Sequence, residues 1–205
     1  EVIEGIDMLL DRYPEKVVAL KGNHEDYTGD GEPTFSPCTL IEEAERKRGS
    51  WREFFDTTFS PFLRKLSLSA LVPGGVLFVH GGIGEGIDSA EALERPDESL
   101  ERTILWSDPG MEPGTSFNLR GAGTVFGPVI TETVLRNVEA GLVVRSHEPR
   151  RAVTGPAFDH EDSIVTVSST RIYDGRPFVL ILSAEQLSGE VAREEIQSAI
   201  RYLDE

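Results

Sequence analysis

Three of the four histidines in this 205-residue chain directly follow or lie just beyond short apolar runs: His24 after residues 17–20, His80 after 76–79 and His147 after 142–144. Glycine flanks two of them, with Gly22 ahead of Asn23-His24 and Gly81-Gly82 behind His80. Glycine permits tight turns and close backbone approach, as a loop wrapped around a small ion requires. Imidazole nitrogen and amide oxygen are borderline donors, suited to manganese, iron or zinc rather than to calcium. Asn23, His80 and His147 could therefore give three neutral ligands to one such ion. The set lacks a carboxylate, the ligand that would hold an ion most firmly and bridge it to a second. The fourth histidine, His160, sits in the acidic run Asp159-His160-Glu161-Asp162 and is read as a solvated side chain.

Other chemistries are excluded by spacing. Cys38 is read as an inert thiol, because position 44 is Ala and no arginine completes a Cys-x5-Arg loop. The stretch GAGTVFG at 121–127 has the wrong spacing for a dinucleotide-binding turn, and no apolar strand leads into it. His24-Glu25 does not begin a zinc-protease helix, since position 28 is Thr.

Rigid elements must hold these residues in place. Val2, Ile3, Ile6, Leu9 and Leu10 share one helical face, and the pattern stops near Tyr13-Pro14. Residues 17–20 read as a buried strand leading into Lys21-Gly22-Asn23-His24-Glu25, and 26–38 as a Gly-, Pro- and Asp-rich loop. Helices are predicted over 39–47 and 50–55, the second capped by Ser50. Strands are predicted over 76–79, 142–144, 164–167 and 178–182, and helices over 131–140 and 190–203. Residues 84–101 read as loop and short helix, and 107–127 as a Gly- and Pro-rich connection. Strand-end loops are where α/β proteins gather site residues, so His24, His80 and His147 are expected to converge at one sheet edge.

Composition narrows the partners. Hydrophobic residues at 39% and charged residues at 27% describe one globular domain rather than a disordered chain. A net charge of −16 repels nucleic acid and anionic membranes, so neither is an expected partner. One cysteine allows no intrachain disulfide, which fits a reducing, cytoplasmic setting. No apolar run is long enough to span a bilayer.

Five motifs occur in order: GNHE at 22–25, VHGG at 79–82, LWSDP at 105–109, RGAGTVFG at 120–127 and RSHE at 145–148. Together they resemble successive motifs of the phosphoprotein phosphatase family, within the calcineurin-like metallophosphoesterases. The resemblance runs from Glu1 to about Tyr173. It implies an α/β fold of two mixed β-sheets packed face to face and flanked by helices. It also implies hydrolysis of phosphoserine and phosphothreonine esters by a water activated between two metal ions, with a phosphoprotein or phosphopeptide as substrate. By the same resemblance Asn23, His80 and His147 ligate the second metal, and His24 is the general acid for the leaving oxygen. Arg120 grips the phosphate through its planar fork, and Asp108 supports the site through hydrogen bonds. Trp106 is read as core, and Tyr173 as either packing or site lining.

The chain departs from the family in two places. The motifs GDxHG and GDxVDRG, which supply the first metal's ligands, are expected upstream of Glu1. The chain is therefore read as a single domain, 1–205, lacking its N-terminal metal-binding segment, with at most one ion site and little activity of its own. In TVSSTRIY at 166–173, Thr170-Arg171-Ile172 replaces the family's Ala-Pro-Asn, and Tyr173 stays in register. A small-molecule phosphoesterase, such as a diadenosine tetraphosphatase, and an inactive phosphate-binding fragment are the alternatives. The HGG at 80–82 and the LWSDP segment favour the protein phosphatase.

Overall fold

A computed structural model describes residues 1–189 and 191–203. The chain divides into two compact units, Glu1–Ser67 and Leu68–Glu205.

The first unit is helical. Helix α1 (Val2–Arg12) turns Ile3, Ile6 and Leu10 onto a cluster centred on Phe55, Phe59 and Phe62, while Val2 and Leu9 stay exposed. Helix α2 (Leu40–Arg48) ends at Gly49, whose left-handed φ of 86° lets its N–H cap Glu45 O at 2.9 Å. Ser50 caps α3 (Trp51–Phe54) as predicted, its hydroxyl accepting from the Glu53 amide at 3.2 Å. A π-helical turn over Phe55–Phe59 continues into α4 (Ser60–Leu63). The predicted strand at 17–20 shrinks to one parallel bridge, Leu20 to Ser67. Its run is not buried, and Val18 is 62% exposed, so apolar composition alone did not make a core strand there.

The second unit is built on a five-stranded mixed sheet. Its strands are β1 (Ser69–Leu71), β2 (Val76–Val79), β6 (Leu142–Arg145), β7 (Ala157–Asp159) and β8 (Ile164–Thr166), ordered β1-β2-β6-β8-β7. The central three are parallel and the outer pairs antiparallel. Both faces are covered, which is why the central strands read as continuous apolar runs. Leu77, Val79, Val143 and Ile164 face one cluster. It is completed by α5 (Ala90–Glu94), α6 (Glu98–Trp106) and α7 (Pro128–Asn137). Val76, Leu142, Val144 and Val165 face another, which includes Val191 and Ile196.

Between α6 and α7 the predicted connection folds into a second mixed sheet: β3 (Asp108–Pro109), β4 (Thr115–Phe117) and β5 (Thr124–Phe126), with β5 central. Helix α7 starts at Pro128, earlier than predicted, because proline suits the first helical turn. It ends at Asn137, and beyond it the Gly141 N–H bonds Gly75 O at 2.7 Å.

The predicted closing helix over 190–203 is corrected. After β9 (Phe178–Leu180) and α8 (Ala184–Leu187), the chain forms α9 (Arg193–Ser198) and then β10 (Ile200–Tyr202). Ile200 and Tyr202 pair antiparallel with Leu180 and Phe178. The spacing of Ile196, Ile200 and Leu203 fits a helix, but β-branched and aromatic residues beside a free strand edge pair with it instead. Glu190 lies outside the described residues.

Candidate active site

His80 and the segment Arg145–Glu148 lie at the carboxyl ends of β2 and β6, which are adjacent and parallel. The Ser146 amide donates to His80 O at 3.0 Å, carrying the strand register one step past the sheet. His80 Nε2 and His147 Nδ1 face each other at 3.3 Å, and His80 Nδ1 lies 3.2 Å from Ser146 Oγ. The His147 backbone has φ of 66°, and the Glu148 amide bonds Ser146 O at 2.7 Å across it. That is a γ-turn in its rarer, strained form. The Trp106 ring packs edge-on to His147 with centroids 5.9 Å apart. Trp106, expected as core, thus braces a site residue.

The His80-Gly81-Gly82 loop is fixed by the end of α6. Gly81 and Gly82 both donate to Ile104 O, at 2.9 and 3.1 Å, satisfying a carbonyl the helix leaves open. A Cβ on Gly81 would lie 2.5 Å from the Leu105 carbonyl carbon, so only glycine fits. The approach couples the VHGG and LWSDP motifs mechanically.

Asp108 is the hub. Its Oδ2 accepts from Arg120 Nε at 2.8 Å and from Asn118 Nδ2 at 3.1 Å, and its Oδ1 accepts from Arg145 Nη2 at 2.8 Å. The same Oδ1 lies 3.9 Å from His147 Nε2. Burial pushes the Asp108 carboxyl up, but the charges of Arg145, His147 and Arg120 and the Asn118 hydrogen bond outweigh it and hold it below the usual aspartate range. The second unit therefore brings His80, His147, Asp108 and Arg120 into one connected group.

Sequence reading missed Arg145, Asn118 and Glu148. Arg145 was read only as the first residue of the RSHE motif, just past the strand at 142–144 and without a role, yet it is a fully buried arginine. Asn118 is buried and accepts from the Arg120 amide at 2.9 Å, shaping the turn that presents Arg120. An Asn two residues ahead of a glycine-rich arginine loop is the signal of such a turn. His160 is corrected from solvated to half-buried: its ring nitrogens lie 2.7 Å from Thr131 Oγ1 and 2.7 Å from Gly110 O. Tyr173 is half-exposed beneath the Arg150 guanidinium, 4.5 Å from the ring centroid.

Asn23 and His24 belong to the first unit, on a 3-10 turn over Asn23–Glu25. Asn23 is buried and His24 exposed, the His24 ring 4.5 Å from that of Phe35. The Gly22 amide donates to Glu25 Oε2 at 3.0 Å, closing the turn. Burial pushes the Glu25 carboxyl up, against the opposing pull of that hydrogen bond, His24 and Lys21.

The imidazole pair fits a shared ion. Two nitrogens about 2.0–2.1 Å from one metal stand about 2.9–3.4 Å apart for angles between octahedral and tetrahedral. The observed 3.3 Å falls inside that range. Ser146 at the other nitrogen of His80 is the outer partner a ligating histidine needs. Among the described residues no group of three or more His, Cys, Asp and Glu side chains stands ready to hold an ion.

Residues 1–151 match the family described as Calcineurin-like phosphoesterase, and the chain belongs to that family. Its ordered motifs resemble those of the phosphoprotein phosphatase branch, and the chain is similar to two phosphatases. A serine/threonine-protein phosphatase of Caenorhabditis elegans is 31% identical over 169 residues, covering 79% of this chain and 36% of that protein. The chain thus spans about a third of that relative's length. A solved protein serine/threonine phosphatase from Saccharomyces cerevisiae, described as similar to human phosphatase PP5, superposes with a TM-score of 0.74 at 22% identity. That match covers 96% of this chain and 63% of the yeast chain, and it supports the fold. The α/β calcineurin-like fold is the one expected, and the family implies metal ions at the site. Among the described residues no helix is long and apolar enough to cross a membrane.

Proposed function

We propose that the protein containing this chain hydrolyses phosphoserine and phosphothreonine esters in phosphoproteins. One arrangement carries the reading: two imidazole nitrogens 3.3 Å apart, linked through Asp108 to an arginine that is 43% exposed. Two neutral nitrogens suit a cation, and the guanidinium beside them suits the oxygens of the phosphate that cation would share. His80 and His147 would hold the ion, with Asn23 as a further ligand carried over from the family resemblance. When bound, such an ion supplies Lewis acidity at the phosphoryl group and to the attacking water. Manganese, iron or zinc suits the donor set. Arg120, pinned by Asp108 through Nε, turns its remaining donors toward the phosphate. His24, again by resemblance, donates the proton to the departing serine or threonine oxygen, a contribution of about 10²–10⁴-fold. The lone cysteine and acidic surface agree with a cytoplasmic enzyme that avoids nucleic acid and membranes.

A substrate panel with added Mn²⁺ tests the proposal on the full gene product. Phosphoserine and phosphothreonine peptides are turned over, and dinucleotide polyphosphates are not. Turnover of the dinucleotides alone would replace this reading with the small-molecule one, and turnover of neither would leave a phosphate-binding protein. The 205-residue chain by itself is expected to hold at most one ion and to show little turnover. Two tightly bound ions with full activity would refute that.

A further inference from the structure

The buried group that the proposed chemistry does not use is Arg145. Its side chain has no solvent exposure, and every nitrogen of its guanidinium is engaged. Nε donates to Gly81 O, next to His80. Nη2 donates to Asp108 Oδ1 at 2.8 Å and Nη1 to Glu148 Oε2 at 2.6 Å, with Thr166 Oγ1 at 3.4 Å. The same two carboxylates face Arg120: Asp108 Oδ2 at 2.8 Å from Nε, and Glu148 Oε1 at 3.7 Å from Nη2. Two arginines and two carboxylates close into a ring of four charges that sum to zero.

We infer that Arg145 is a positioning residue that sets both the direction and the free charge of Arg120. A buried ion network is weak support for stability, since apolar groups of equal volume often serve as well. What this ring does have is an order. Arg145 occupies the inner oxygens of Asp108 and Glu148, so each carboxylate meets Arg120 with its other oxygen only. Arg120 is thereby steered by its Nε edge while its outer edge stays open to solvent. Without Arg145, two carboxylates would bear on Arg120, relieved in part by Arg151, 3.4 Å from Glu148, and by Asn118 and His147 beside Asp108. Arg120 would be drawn inward and its charge cancelled, and an incoming phosphate would compete with both acids. The tie from Nε to Gly81 O fixes the ring relative to His80.

This inference rests on Arg120 as the phosphate grip, and the test separates the two. Inorganic phosphate binding is measured by titration calorimetry, and phosphopeptide KM and kcat are followed, on the full gene product and on Arg120→Ala, Arg145→Met, Arg145→Lys and the corresponding double variants. Arg145→Lys keeps the buried charge and loses only the fork, so it carries the test if Arg145→Met does not fold. Each Arg145 variant is expected to weaken phosphate binding about 10–100-fold, the range typical of outer partners. KM should rise more than kcat falls, because phosphate is held in ground and transition states alike. In the Arg120→Ala background the Arg145 substitutions should have no further effect on phosphate. An equal loss in both backgrounds, or no folded Arg145 variant at all, would make Arg145 structural and overturn the inference. Unchanged phosphate binding in Arg120→Ala would instead overturn the reading of Arg120 itself.

Discussion

His80 Nε2 and His147 Nδ1 meet at 3.3 Å although 67 positions separate the residues in sequence. The meeting follows from topology: β2 and β6 are parallel neighbours, so the loops after them leave from the same sheet edge. The γ-turn at His147, with φ of 66°, then swings its ring back toward His80; Ser146 ahead of it is tied to His80, and Glu148 behind it is tied to the buried Arg145.

His80→Ala and His147→Ala should each abolish stoichiometric metal binding. Affinity should fall by more than about 100-fold, beyond the 10–100-fold loss seen when only an outer partner is removed. Metal content after dialysis, by elemental analysis of the full gene product, checks this directly. Ser146→Ala, which removes only the contact to His80 Nδ1, should show a smaller loss. Full metal content in either histidine variant would sink the ligand assignment.

Gly81→Ala should destabilise the fold by about 1–3 kcal/mol, as overpacking does in a well-filled site. The added carbon would sit 2.5 Å from the Leu105 carbonyl carbon and 2.8 Å from Ile104 O, both backbone atoms that cannot swing aside. Gly86→Ala offers a contrast, because nothing lies within 4 Å there and its cost comes from a φ of 97° alone. Urea denaturation of the two variants measures the difference, and an unperturbed Gly81→Ala midpoint would remove the packing argument.

Much of this arrangement is legible in the sequence. The apolar runs at 76–79 and 142–144 marked the two strands that carry His80 and His147, and glycine beside His80 marked a close backbone approach. Run length failed at 17–20, where four apolar residues lacked enough cover to form a buried strand and Val18 stayed out in solvent. Periodicity failed near the C-terminus, where Ile196 and Ile200 fit one helical face but β9 offered Ile200 a strand partner. Arg145 was illegible for another reason. An arginine three residues ahead of a glutamate is as common on a surface as in a core, and its other partners Gly81, Asp108 and Thr166 are distant in sequence. His160 misled because acidic neighbours read as solvated, whereas three successive positive φ values turn its ring inward.

His160 should act as a clip between α7 and the loop after β3. Its Nδ1 lies 2.7 Å from Thr131 Oγ1 and its Nε2 2.7 Å from Gly110 O, with the Phe126 ring edge-on at 5.8 Å. A carbonyl only accepts, so Nε2 carries the proton and the Thr131 hydroxyl donates to Nδ1 in the neutral ring. His160→Ala should cost about 1–3 kcal/mol by leaving those partners unpaired. Thr131→Val should cost less alone and add little to His160→Ala, because the two remove one interaction. Additive losses in a denaturation cycle would show that the clip is not a unit.

Tyr27 should titrate late and make the first unit sensitive to alkali. Its hydroxyl lies 3.3 Å from Cys38 Sγ, and its ring packs among Phe35, Trp51, Phe55 and Phe59. Burial above all, then the Cys38 hydrogen bond and the charges of Cys38 and Glu25, push its phenol well above the ordinary tyrosine range. The sign follows from which state holds the proton. Below about pH 10, the ordinary value, folded and unfolded chains both keep it, and its contribution to stability is complete. Above that, the unfolded chain releases the proton first and stability falls, by at most about 1.4 kcal/mol per pH unit for one proton. A tyrosinate absorbance titration should therefore show a late step from Tyr27. Tyr27→Phe should delete that late step and flatten the alkaline limb of stability measured by urea melts. A late step that survives in Tyr27→Phe would assign it to another tyrosine and remove the basis for this alkaline sensitivity.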